Sequence, residues 1–364
     1  MGKTICVSYE GKPSYHIEIQ KDFRLLPEKL KDLGYGRNRV CIITENTVGS
    51  FYLEELKALL SHMFSCCTSY VFEAGEASKN TDTVGKVYEH LIQNSFDRKD
   101  VLIALGGGVV GDLTGFAAAT YLRGIDFVQV PTSLLAQTDS SIGGKTGVDF
   151  MQYKNMVGAF YMPKLVYMNI SALKTLPKRQ FSAGTAEVIK HGFIKDQKYT
   201  EFIQTHSKAI MVQDYETMEE MIDRSCRIKR DVVEQDPKEQ GERALLNFGH
   251  TIGHAIEKLS DFTLYHGECV ALGMVSAGYI SWKQGNLSLE ALEEIEKILE
   301  SYGLPVRLKD FPYPPEEILE TTRLDKKMES GKIKFILLKN LGEAYITKEL
   351  TDSEILAGIR YILQ

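Results

Sequence analysis

Two regimes of hydrophobic patterning divide the chain. Up to about residue 176, short apolar runs alternate with stretches whose apolar residues recur every three or four positions. Residues 3–8 and 14–20 predict a hairpin about Gly11-Lys12-Pro13-Ser14. The run 39–44 reads as a buried parallel strand. Leu53, Leu56, Leu59 and Leu60 fall at helical spacing within 51–62, while 69–73 predicts a strand and 80–94 a helix. The strand at 100–105 runs straight into Gly106-Gly107-Gly108, with helical sequence from Val109; a further strand at 126–130 stops at Pro131. This alternation predicts a parallel sheet with helices on its faces.

After residue 176 long helical patterns dominate, at 179–194, 198–211, 214–235, 243–259, 266–284 and 288–302. Only 332–338 and 344–346 read as strands, joined around Asn340-Leu341-Gly342. The expectation is an α/β domain over 1–176 and a mainly helical domain over 177–364, with the site in a cleft between them. No repeat or flexible linker interrupts the pattern.

Composition narrows the function class. A length of 364 residues suits two cores, and a net charge of −6 disfavours a nucleic-acid partner. No apolar run approaches the roughly 20 residues of a membrane span. The opening segment reads as strand, not signal peptide, and Cys6 stands where a myristoylation motif needs Ser or Thr. Cys6, Cys41, Cys66, Cys67, Cys226 and Cys269 show no CxxC spacing, so reduced thiols and a cytoplasmic location are expected.

Three segments carry candidate chemistry. Gly106-Gly107-Gly108-Val109-Val110-Gly111-Asp112 joins a strand to a helix. Its glycines would let backbone approach a phosphate at the helix N-terminus, although they also suit a packed β–α turn, and the spacing is not GxGxxG. Residues 131–146 (PTSLLAQTDSSIGGKT) gather hydroxyls, Asp139, two glycines and Lys145, but lack the first glycine of a P-loop. With Lys154-Asn155 before the Gly158 turn, they favour an anion site.

The third segment is histidine-rich. His250 and His254 lie four apart on one helix face, His266-Gly267-Glu268 opens the next helix, and Glu187, Lys190 and His191 share a face. Five of the eight histidines fall between 187 and 266, beside a helical glutamate, which favours a divalent metal site over scattered structural histidines. Spacing leaves Glu187, His191, His250, His254, His266 and Glu268 all open as ligands, including an i,i+4 pair such as Glu187–His191. Arg123, Lys190, Lys229, Arg243, Lys326 and Lys327 are candidate cations for an anionic substrate.

The phrases GGGVVGD, PTSLLAQTDSSIGGKTGV, KNMVGAF, AEVIKHG, LLNFGHTIGHAIE and HGECVALGM occur in this order. Between Thr44 and Gly331 the chain resembles the dehydroquinate synthases, a family of sugar phosphate cyclases. The resemblance implies a Rossmann-like α/β domain followed by a mainly α-helical metal- and substrate-binding domain. It implies NAD held by Ala74, Gly75, Glu76, Ala77, Ser78 and Lys79 on the ribose and adenine side, and by Gly108, Val109, Val110, Gly111 and Asp112 at the pyrophosphate. Thr132, Ser133, Asp139, Lys145, Lys154, Ala172, Leu173, Lys174 and Thr175 would complete the cofactor and substrate surfaces. Glu187, His250 and His266 match the family's ligands to one zinc or cobalt ion, and His254 a residue beside the reacting centre. Lys145, Lys154, Asn155, Lys190, Lys229, Arg243, Asn247 and either Lys326 or Lys327 match catalytic or substrate-contact positions. Arg123 matches an arginine that reaches the neighbouring subunit's site, which implies a homodimer. Ser133 replaces the common Thr, Glu45 the frequent Asp, and Gln180 the usual Glu.

The implied reaction converts 3-deoxy-D-arabino-heptulosonate 7-phosphate to 3-dehydroquinate and phosphate. Alcohol oxidation by NAD acidifies a neighbouring C–H, phosphate leaves, the hydride returns, and an intramolecular aldol step closes the ring. The rivals are another cyclase such as a 2-deoxy-scyllo-inosose synthase, a metal-dependent polyol dehydrogenase that would release NADH, and a non-enzymatic relative that would have lost site residues.

Overall fold

In the run 101–106 every residue is buried, as a strand covered on both faces requires. The computed structural model, which describes residues 2–151, 153–239, 241–261, 263–323, 328–329 and 332–364, builds a seven-stranded sheet around it. Two compact units make up the chain: Met1–Leu176 with Met218–Pro237, and Pro177–Thr217 with Lys238–Gln364.

The first unit runs β1 (Lys3–Tyr9), β2 (Lys12–Gln20), α1 (Leu26–Asp32), β3 (Arg39–Glu45), α2 (Asn46–Leu60), β4 (Cys66–Phe72), α3 (Thr81–Gln93), β5 (Val101–Gly106), α4 (Gly108–Thr120), β6 (Asp126–Pro131), β7 (Lys145–Phe150), β8 (Tyr153–Phe160) and β9 (Leu165–Asn169). Strand order is β1-β2-β9-β6-β5-β3-β4, parallel except for the β1–β2 pair. Alternation sorts the two faces. Val40, Ile42, Val101, Ile103 and Leu105 pack with Leu26, Leu56 and Leu60 of α1 and α2. Cys41, Ile43, Leu102 and Ala104 pack with Val84, Leu91, Leu113 and Ala117 of α3 and α4.

The second unit contains α5 (Lys178–Lys195), α6 (Gln197–Met211), then, beyond α7 (Tyr215–Gln235), α8 (His250–Leu259), α9 (His266–Lys283), α10 (Leu289–Ser301), α11 (Pro315–Arg323), the short strands β10 (Met328–Glu329) and β11 (Lys332–Ile333), the hairpin β12 (Phe335–Asn340) with β13 (Glu343–Thr347), and α12 (Asp352–Ile362). Helices α5 and α9 are buried along most of their length. A helix apolar on all sides belongs at a core, and α9 packs against α5, α8, α10, α12 and β12.

Several expectations needed correction. The first turn lies at Glu10-Gly11, and β2 already begins at Lys12. The turn expected at Gly158 lies inside a strand, since β8 pairs antiparallel with β7 as a hairpin. Segment 332–338 breaks at Lys334 into β11 and β12. Helices α1, α11 and α12 were not anticipated. From Met218 onward α7 groups with the first unit, although the helical pattern put it in the second: Lys3 Nζ pairs with Glu220 (2.5 Å) and Asp223 (3.3 Å), and Ser8 N donates to Glu234 (2.6 Å). The helix expected over 243–259 is split. A 3-10 turn, Glu242–Asn247, ends before Gly249, whose φ of +80° no ordinary residue adopts cheaply, and α8 starts afresh at His250.

Candidate functional site

In the first unit the sheet order creates a switch point. Strand β4 lies outside β3, whereas β5 pairs with the opposite edge of β3, so the connections after β3 and β5 depart to opposite sides. Ligands of open α/β sheets bind at such a point, beyond the carboxyl ends of the strands. Here that position holds the glycine turn. Gly107 is the extended N-cap of α4 and brings no side-chain cap, and the first return bond is Gly111 N to Gly107 O at 3.0 Å. The earlier N–H groups of the thirteen-residue helix stand at its positive end, the arrangement that suits a phosphate. The following β6 connection folds beside it. Thr132 N donates to Gly106 O (2.9 Å), and a Cβ on Gly107 or Gly108 would lie 3.5 Å from Ser133 Oγ or 3.3 Å from Ser140 Oγ.

The other nucleotide-binding candidates of this unit also follow strand ends. After β4, Gly75 (φ +116°) leads into a 3-10 turn, Glu76–Ser78. Lys79, 4% exposed, donates to Asp112 Oδ2 (2.7 Å) and Asn155 Oδ1 (2.5 Å). Burial disfavours its charge, but Asp112 and Glu76 outweigh burial and hold the ammonium above the usual lysine range. Asp149 Oδ1 accepts from Asn155 N (2.7 Å) and the Asp149 backbone N donates to Lys79 O (2.8 Å), which ties this turn to the β7–β8 hairpin. Asn46 Oδ1 accepts from Ala74 N (3.1 Å). Glu45 spends its carboxylate on Thr47 N and Val48 N, capping α2. After β6, a π-turn (Ala136–Ser140) presents Asp139, whose carboxylate and carbonyl both receive Lys229 Nζ at 2.5 Å. After β9, Ala172, Leu173, Lys174 and Thr175 form a 3-10 turn; Tyr52 OH donates to Ala172 O (3.0 Å) and lies 2.7 Å from Thr175 Oγ1. Lys145 and Lys154 are exposed on β7 and β8. Arg123 is exposed on a left-handed turn, with Leu122, Arg123 and Gly124 all at positive φ.

The second unit assembles a different kind of site. Glu187 projects from the middle of α5 and is 1% exposed. His250 and His266 are the first residues of α8 and α9. Each presents Nε2 at 3.4 Å from the same oxygen, Glu187 Oε1. Lys190, one helical turn on, bonds the other oxygen, Oε2. Oε1 is buried and accepts no hydrogen bond, an expensive state for a carboxylate that a cation among these three donors would relieve. The three ligand atoms lie within 4.8 Å of one another. Two imidazoles and one carboxylate suit zinc or a similar divalent ion and leave coordination positions for substrate.

Burial opposes ionisation of Glu187, but Lys190 and His266 overcome it and hold the carboxyl far below the usual range. Burial likewise opposes charge on His266, yet Glu187 and Glu257 push its imidazole up to about 9. Close helix packing makes the cluster. A Cβ on Gly267 would stand 1.8 Å from Ala183 O, so only glycine lets the start of α9 lie against the helix that carries Glu187.

Of the ligands that spacing left open, Glu268 is removed. It forms paired hydrogen bonds with Arg179 (2.6 and 2.7 Å) and accepts from Tyr265 N (2.8 Å), capping α9. His191 is buried on α5. His254 stacks beside the cluster, its ring centroid 5.2 Å from that of His250 and 5.8 Å from that of His266. Arg243 is buried on the 3-10 turn before α8, and Asn247 of that turn donates to Glu239 (2.8 Å). Lys326 and Lys327 lie outside the described residues. The residue that sequence reasoning passed over is Glu257, which stands 3.1 Å from His266 Nδ1. Its signal was the seven-residue spacing from His250, two turns along the same face.

The chain is similar to known proteins along nearly its whole length. Residues 69–183 match the N-terminal and 184–328 the C-terminal model of the 3-dehydroquinate synthase family. The 3-dehydroquinate synthase of Ruminiclostridium cellulolyticum is 45% identical over 346 residues, 95% of each chain, and that of Haemophilus ducreyi 42% identical over 351 residues, 96% of each. Among solved structures, a 2-epi-5-epi-valiolone synthase from Streptomyces hygroscopicus with NAD+ and Zn2+ bound superposes with a TM-score of 0.88 at 27% identity, over 98% of each chain. A 2-deoxy-scyllo-inosose synthase complexed with carbaglucose-6-phosphate, NAD+ and Co2+ shares the fold, with a TM-score of 0.89 at 24% identity over the whole of both chains. With its glycine turn at the sheet's switch point, its Glu–His–His cluster and these full-length relatives, the chain belongs to the 3-dehydroquinate synthase family.

Proposed function

We propose that this protein converts 3-deoxy-D-arabino-heptulosonate 7-phosphate to 3-dehydroquinate and phosphate, a step toward chorismate and the aromatic amino acids, using NAD and one divalent ion, zinc or cobalt. The observation that carries this reading is the cluster of buried Glu187 and His250 with half-buried His266 in a chain of this family. When bound, NAD supplies a reversible hydride acceptor and the ion supplies Lewis acidity at an alcohol oxygen.

The chain's own residues divide the remaining work. Glu187, His250 and His266 would hold the ion, and Lys190 neutralises the oxygen of Glu187 that faces away from the histidines. His254 stands where it can move a proton beside the ligands. Gly108, Val109, Val110, Gly111 and Asp112 would cradle the NAD pyrophosphate. Ala74, Gly75, Glu76, Ala77, Ser78 and Lys79 would meet its ribose and adenine side. Thr132, Ser133, Asp139, Lys145, Lys154, Ala172, Leu173, Lys174 and Thr175 would complete those surfaces. Lys145, Asn155, Lys190, Lys229, Arg243 and Asn247 would orient the sugar phosphate, the cations by charge-assisted hydrogen bonds. The reading includes a cytoplasmic homodimer in which Arg123 reaches the neighbouring active site; its exposed left-handed turn supports that role.

The test supplies the heptulosonate phosphate, NAD and Zn2+ or Co2+ to the purified protein and follows phosphate and dehydroquinate together. Equal amounts of both, with no net NADH, are expected. Phosphate without dehydroquinate would point to another cyclase, and accumulating NADH to a polyol dehydrogenase.

A further inference from the structure

Glu257 has a geometry that the reaction scheme leaves unused. It sits on α8, seven residues after His250 and three after His254, so all three share one face. The residue is 7% exposed, and Oε2 lies 3.1 Å from Nδ1 of His266 at the start of α9. The other nitrogen of that ring, Nε2, is the one that faces Glu187 Oε1 at 3.4 Å. An imidazole that donates Nδ1–H to a carboxylate keeps its Nε2 lone pair for a metal, with raised basicity and a fixed ring plane. His250 is oriented by a weaker acceptor, since its Nδ1 lies 3.1 Å from the backbone carbonyl of Phe248. The two imidazoles are therefore held unequally, one against a neutral dipole and one against a buried anion.

We infer that Glu257 is the positioning residue for His266, setting the tautomer and donor strength of that ligand without binding the ion itself. One helix thus supplies both a ligand, His250, and the orienting group of the ligand on the next helix. The inference rests on the reading of Glu187, His250 and His266 as the metal set. A competing role exists, because His254, Glu257 and His266 also offer ligand atoms within 4.8 Å of one another. The orientation of His266 decides against it. Its Nδ1 is directed at Glu257 and its Nε2 at Glu187, so an ion at the Glu187 set leaves Glu257 on the far side of the ring.

The experiment measures Zn2+ and Co2+ affinity of the full-length protein by competition with a chromophoric chelator, together with the visible spectrum of the Co2+ form. Glu257→Ala is expected to weaken binding roughly 10- to 100-fold. Glu257→Gln should lose less, because its amide oxygen still accepts the Nδ1–H bond, and should keep the Co2+ band pattern of the parent. Glu257→Ala binding within about twofold of the parent, or Glu257→Gln losing the Co2+ spectrum as fully as His266→Ala does, overturns the inference. Thermal unfolding of each metal-free variant separates a lost fold from a lost ligand, and Glu257→Gln keeps the test decisive if the alanine variant unfolds. His266→Ala isolates the underlying reading. If that variant binds metal like the parent, the ligand set is wrong; if it loses metal while Glu257→Ala does not, only the role of Glu257 fails.

Discussion

The two candidate sites of this protein are built by opposite strategies. The glycine turn of the first unit is a backbone site. Its parts follow successive strands of one parallel sheet, and the sheet's topology sets their positions before any side chain is chosen. The metal cluster of the second unit is a side-chain site. Its candidate ligands come from α5, α8 and α9, separated by 63 and 16 residues of chain (187 to 250, 250 to 266), and they meet because three helices pack with almost no side chain between them at one point. The backbone site should therefore tolerate loss of single side chains, whereas the metal site should fail with any one of them.

Four variants test that contrast, in descending order of expected effect. His250→Ala should abolish stoichiometric metal and lower turnover about a thousandfold or more, since several kcal/mol of charge stabilisation is lost at 1.4 kcal/mol per tenfold. NAD titration of the same variant should be unchanged, and full metal content would show that the cluster is wrongly drawn. Gly267→Ala forces a Cβ against Ala183 O and should cost about 3 kcal/mol of stability together with metal affinity. Denaturant unfolding with and without chelator reads both, and a variant as stable as its parent would refute the close-packing account. Lys79→Met leaves Asp112 without its cation and should cost about 2 kcal/mol, less than a fully buried pair because Asp112 is part exposed. NAD binding by calorimetry should weaken only modestly while metal content holds; an equal loss of metal would erase the distinction between the units. Thr351→Ala removes the capping box of α12, formed with Glu354, and should cost about 1 kcal/mol with neither site affected. Loss of metal or NAD affinity in that variant would mean the sites are not locally determined.

The same contrast explains what could be read along the chain. Strands β3, β5 and β6 were legible because burial on both faces demands a continuous apolar run, and the glycine turn was legible because it is contiguous. The break at Gly249 was not. Apolar spacing continues through 243–259, and nothing local says that Gly249 adopts positive φ. The β7–β8 hairpin was missed because its outer residues, such as Asn155 and Met156, are exposed and polar or irregular in pattern. Spacing alone did not separate Glu268 from Glu187 among six possible ligands; the family resemblance did, and in the structure Arg179, 89 residues away, holds Glu268.

By itself the sequence determined the buried strands and long helices, the contiguous phosphate-type turn and a pool of metal-binding side chains, because each depends on periodicity or on neighbours within a few residues. Only the tertiary structure decided that Glu187, His250 and His266 converge and that Glu257 stands behind one of them. That choice depends on how closely three helices approach, and the approach is set by packing between residues far apart in the chain, at Gly267 against Ala183 above all.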